Sequence, residues 1–100
     1  MKVYEGTIPS YSINLGEELV KVNSEYVKVT IKKDSLQVLV WKINYSGTYQ
    51  VDKISKKEYK ITGNMEQTGI PALFFLNLKD KTLVRKGVFP QPETILSIEE

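Results

Sequence analysis

The sequence predicts an all-β protein: a small antiparallel barrel or sandwich of about seven or eight strands, with room for one short helix. Three observations carry this. Val, Ile and Thr together number 26 and the aromatics add ten, whereas Ala, the best helix former, occurs once, at Ala72. Apolar and polar residues alternate with a period of two, most clearly where Val27, Val29 and Ile31 interleave with Lys28, Thr30 and Lys32. Short polar punctuation recurs at hairpin spacing, as Lys33-Asp34-Ser35, Ser46-Gly47, Ser55-Lys56-Lys57 and Lys79-Asp80-Lys81. The 100 residues make a single domain, 1–100, with no internal repeat, low-complexity segment or linker.

Residues 2–8 alternate weakly and form a first strand that stops at Pro9. Ile13 and Leu15 are short-strand positions, and Gly16-Glu17-Glu18 is a turn ahead of Leu19–Val22. Residues 19–27 also fit a helical period through Leu19, Val22 and Tyr26, but the strict alternation from Val27 onward favours strand. The turn at Lys33-Asp34-Ser35 leads into Leu36–Tyr45, which is apolar on both faces, with Leu36, Val38 and Val40 on one and Leu39, Trp41, Ile43 and Tyr45 on the other. Ser46-Gly47 is then a turn into Thr48–Ile54. With two-residue loops at Asp34-Ser35 and Ser46-Gly47, Val27, Val29, Ile31, Val38, Val40, Tyr49 and Val51 share one face. Glu58–Thr62 is the next strand, and a polar loop runs from Gly63 to Gly69. Ile70–Leu78 is the segment predicted to be most buried, and Thr82–Phe89 returns from it. After Pro90-Gln91-Pro92, residues 93–98 fit a closing strand or a short helix.

The chain contains neither Cys nor His. That removes disulfides, thiol chemistry, imidazole catalysis and Cys/His zinc sites. Ser24, Ser35 and Ser46 sit in predicted turns with no partnering base. The carboxylate pairs Glu17-Glu18 and Glu99-Glu100 are sequence neighbours that point to opposite faces of a strand. No calcium loop or phosphate-cradling glycine loop is present. The expectation is a non-enzyme with no cofactor and no metal. The lack of Cys, of a secretory signal and of an apolar run longer than Ala72–Leu76 fits a cytoplasmic protein that makes no membrane contact.

Thr68-Gly69-Ile70-Pro71-Ala72-Leu73-Phe74-Phe75-Leu76, followed by Lys79-Asp80-Lys81 and Gly87, resembles the C-terminal half of thioredoxin-like proteins over residues 68–92. The resemblance implies an α+β alternative: Pro71 enters a buried strand that hairpins into an edge strand and a final helix. The family's cysteine positions then fall on Ser46 and Tyr49, so no redox chemistry follows. Only 22 residues separate Ser46 from Gly69, fewer than the family's intervening helix, strand and second helix occupy.

Net charge is +2, from 14 basic and 12 acidic residues, but residues 21–60 hold nine Lys against four acids. Aromatics flanked by cations on a sheet stack and neutralise single-stranded nucleic acid. The candidate ligand-binding set is therefore Tyr26, Lys28, Lys32, Trp41, Lys42 and Lys53, with Lys79, Lys81, Arg85 and Lys86 as a second basic candidate. Leu39, Trp41 and Ile43 fit equally a second core layer covered by residues 70–78. The expected function is a small binding or regulatory module, with single-stranded nucleic acid the favoured ligand. The alternative is a protein–protein module (an inhibitor, regulator or assembly subunit, homo-oligomers included) that uses the apolar strip around Trp41.

Overall fold

The computed structural model describes residues 2–87 and 91–98. These form ten strands: β1 (Lys2–Ile8), β2 (Tyr11–Leu15), β3 (Glu18–Val22), β4 (Glu25–Ile31), β5 (Leu36–Val40), β6 (Ile43–Lys53), β7 (Glu58–Met65), β8 (Pro71–Asn77), β9 (Thr82–Arg85) and β10 (Thr94–Ile98). Eight of them close into an antiparallel barrel in which β1 and β4 through β10 follow one another in chain order, and β10 pairs back onto β1 through Tyr4–Ile98. β2 and β3 pair only with each other, in a ribbon inserted between β1 and β4. Closure leaves the barrel with no free edge.

The fold is all-β, as the alternation predicts, and a barrel rather than a sandwich. Among the described residues there is no helix, which overturns the thioredoxin-like alternative. The residues after Pro92 form strand β10, whose inward residues are Thr94 and the fully buried Leu96. The predicted end of the strand before them, at Val88 and Phe89, its stop at Pro90 and the Glu99-Glu100 pair all lie outside the described residues.

The shared face predicted for the meander is present with different loops. β4 and β5 pair Val27 with Val40, Val29 with Val38 and Ile31 with Leu36, around a loop in which Lys32 N–H donates to Ser35 O at 2.9 Å. That register differs from the predicted one by two residues, which preserves the face. The next turn is Trp41-Lys42, not Ser46-Gly47, because Val40 pairs with Ile43 and β6 runs through Gly47 without a break. Gly47 is needed there for close approach: an added Cβ would collide with the carbonyl of Asn64 on β7. Val51 keeps the inward parity but is 50% exposed.

The core comprises Tyr4, Ile8, Val27, Val29, Leu36, Val38, Ile61, Phe74, Leu83 and Leu96 among others, each nearly or fully buried. Burying one such side chain stabilises the fold by about 1.5–3 kcal/mol. One end of the barrel carries the short turns 32–35, 54–57 and 78–81, and is sealed in part by Tyr49, whose hydroxyl donates to the carbonyls of Lys32 (2.6 Å) and Lys33 (3.2 Å). The other end carries the ribbon, the Trp41-Lys42 turn, the 66–70 loop and the connection from β9 to β10. This second end is open.

Candidate functional site

The open end holds a cavity of about 390 Å³, within the range typical of small-molecule pockets. Val38, Val40, Met65, Ala72 and Phe74 form apolar walls and a floor, and Tyr11, Tyr45, Arg85 and Gln91 bring polar groups to it. Tyr11 comes from the ribbon and is the residue of that arm that packs against the barrel core. Ile13 and Val22 are half-buried, and the other strand residues of the ribbon face solvent, with Leu15 and Leu19 largely exposed.

Strand alternation puts Arg85 inside the barrel. On β9, Leu83 pairs with Leu76 and Leu96, all inward, so Arg85 two residues later faces inward too, between Phe74 on β8 and Thr94 on β10. The guanidinium donates to Gln91 Oε1, a neutral acceptor. Burial pushes its pKa down, with Tyr45 and Glu25 opposing that effect. It remains a cation. Glu25 begins β4 on the same inward parity as the buried Val27 and Val29, yet no carboxylate oxygen of the described residues lies within 4.0 Å of Arg85. Thr94 is 2% exposed, and its Oγ1 has no hydrogen-bond partner. Leaving a buried hydroxyl unsatisfied costs about 1–3 kcal/mol. Among the described residues no group of three or more acids is placed to hold a metal ion, and no helix is long and apolar enough to cross a membrane.

The structure divides the candidate set read from the sequence. Tyr26 and Trp41 are neighbours at the open rim, joined by Trp41 N–H donating to Tyr26 O at 2.8 Å. Tyr26 is 42% exposed and its hydroxyl donates to Glu5 Oε2 at 2.6 Å; Lys28 follows it on the outer face of β4, opposite Leu39. Lys42 Nζ lies over the Trp41 ring, 5.0 Å from its centroid. Lys32 stands past the other end of β4, and Lys53 ends β6, roughly 30 Å of strand away from Trp41. Trp41 is 59% exposed, so it belongs to no second core layer. The strip Leu39, Trp41 and Ile43 does not exist as one strand face, because the chain turns between them.

The second basic candidate also separates. Lys79 and Lys81 occupy the β8–β9 turn at the sealed end, while Arg85 and Lys86 are at the open end. Lys86 is exposed, bonded to Glu93 at 3.0 Å and 5.5 Å from the Phe75 ring centroid. Tyr11, Glu25 and Thr94 are not singled out by the sequence, and Tyr45, expected on the face opposite Val38, instead pairs with Val38 and packs against the core. Their signal was parity: each sits at a step of an otherwise apolar inward series, visible only once the register is known. No family model matches the chain, and neither a curated protein nor a solved structure matches it.

Proposed function

We propose that this chain is a non-catalytic binding protein that holds a small, largely apolar molecule in the open end of its barrel. The observation that carries the reading is the cavity itself, apolar in floor and walls, at the end of the barrel opposite Tyr49. Nothing in it pairs a nucleophile with a base, which fits binding rather than turnover. Single-stranded nucleic acid finds less support, because Lys32 and Lys53 stand far from Trp41 and one face of the indole already carries Lys42.

The test is titration with N-phenyl-1-naphthylamine, an uncharged fluorophore that brightens in apolar surroundings. Saturable binding at one site per chain is expected. Ala72→Phe, which fills the cavity from its wall, is expected to weaken it at least roughly tenfold while the β-type circular dichroism is kept. Failure of the wild-type chain to bind would sink the proposal. In that event, salt-sensitive quenching of Trp41 by mixed-sequence single-stranded RNA would move the function to the rim.

A further inference from the structure

We infer that the molecule bound in the open end carries an oxyanion head, and that Arg85, in the cavity lining, is the group that receives it. This rests on the cavity reading above and adds the chemical class of the ligand. Arg85 is the only arginine in the chain, and β9 turns it into the barrel rather than toward solvent. Its one hydrogen-bond acceptor among the described residues is the neutral Gln91 carboxamide, so most of the guanidinium fork is free to donate. Buried guanidinium groups ordinarily meet a carboxylate or phosphate, often through two parallel bonds. Here no carboxylate of the described residues is within ion-pairing distance.

Two cations line the cavity, Arg85 and Lys86. Lys86 is exposed and already paired with Glu93, which leaves Arg85 as the cation with donors to spare. A planar guanidinium with open donors beside apolar walls is complementary to one kind of group: an oxygen-rich anion. Glu25 is the opposing charge, since its field reaches Arg85 without bonding to it. It therefore weakens anion binding and sets a limit on the affinity. The apolar walls then accommodate the remainder of the ligand, as an amphiphile requires.

The experiment compares two probes that differ by one group: 8-anilino-1-naphthalenesulfonate and its uncharged parent N-phenyl-1-naphthylamine, each titrated into the full chain at fixed salt. Arg85→Met is expected to weaken the sulfonate at least roughly tenfold and to change the neutral probe less than about threefold. Glu25→Gln is expected to strengthen the sulfonate alone by a few fold. If Arg85→Met does not fold, Arg85→Gln and Glu25→Gln carry the same test. Equal loss of both probes, or loss of neither, overturns the anion subsite while leaving the cavity reading intact. A wild-type chain that binds neither probe overturns the cavity reading itself.

Discussion

Three strands change character between the sealed end of the barrel and the open one. On β9 the inward residues run from Leu83 to Arg85, on β10 from Leu96 to Thr94, and on β4 from Val29 to Glu25. Leu83 and Leu96 are register partners with no exposure, and the adjacent inward pair is a half-buried cation, Arg85, and a buried residue with an unsatisfied hydroxyl, Thr94. A single two-residue step therefore separates packing that stabilises the barrel from polarity that costs it stability. Such local violations of an otherwise consistent design concentrate where a protein binds something.

The largest expected effect breaks the sealed end. Leu83→Ala is expected to cost about 3 kcal/mol in urea unfolding, from lost transfer energy and the cavity left behind. A cost below about 1 kcal/mol would mean the sealed end is looser than its burial implies. The opposite sign is expected one step away. Arg85→Met is expected to raise stability by about 1 kcal/mol, because an incompletely paired, half-buried charge is replaced by an apolar chain of similar length. Thr94→Val is expected to add about 1 kcal/mol for the same kind of reason. The two residues are neighbours, so their effects are not expected to sum, and the double variant measures the coupling. Stabilisation together with loss of anionic probe is the signature of a site kept at a cost to the fold.

The contrast explains which parts were legible beforehand. Period-two alternation identified β4 and the first part of β7, the apolar runs identified β5 and β8, and Gly16 marked the ribbon's turn. Burial followed less well: β7 continues to Met65 through the expected loop, and β8, expected to be the most buried segment, has only Phe74 fully buried. Gly47 misled because glycine has two uses: it permits a turn, and it permits close backbone approach inside a strand. Local sequence cannot tell these apart, and here the second applies. Trp41 misled in the complementary way, since a bulky residue at φ 56° is a poor turn former by sterics. Arg85 was grouped with Lys79 and Lys81 by proximity in sequence, although its parity with Leu83 was the better guide. Parity became decisive only once the register assigned an inside.

Tyr4 sharpens the comparison through pH. It is 1% exposed, on the inner face of β1, and burial pushes its phenol above the ordinary value of about 10. Below that value both the folded and unfolded states keep the proton. As pH rises past it, the unfolded chain ionises while the folded one resists, so stability is lost on the alkaline side. Tyr4→Phe is expected to change stability by less than about 1 kcal/mol at neutral pH and to move the alkaline unfolding midpoint upward. An unchanged midpoint would show that the phenol reaches water despite its buried ring. Arg85 does not enter this window, because a guanidinium stays protonated well beyond it.

The smallest effect concerns Trp41, at the rim where open end meets solvent. Its backbone is left-handed, at φ 56°, and a bulky side chain there carries strain of about 1 kcal/mol. The Lys42 ammonium over the indole, 5.0 Å from its centroid, returns about 0.5 kcal/mol at so exposed a site. Trp41→Gly removes both terms, and glycine adopts the turn freely. A gain of about 0.5 kcal/mol in urea unfolding follows, and because Trp41 does not line the cavity, binding of the uncharged probe should hold within about twofold. A loss of stability would instead make the indole a structural part of the hairpin. A loss of probe affinity with stability unchanged would extend the binding surface from the cavity onto the rim, and would explain why a tryptophan is kept where the turn geometry favours glycine.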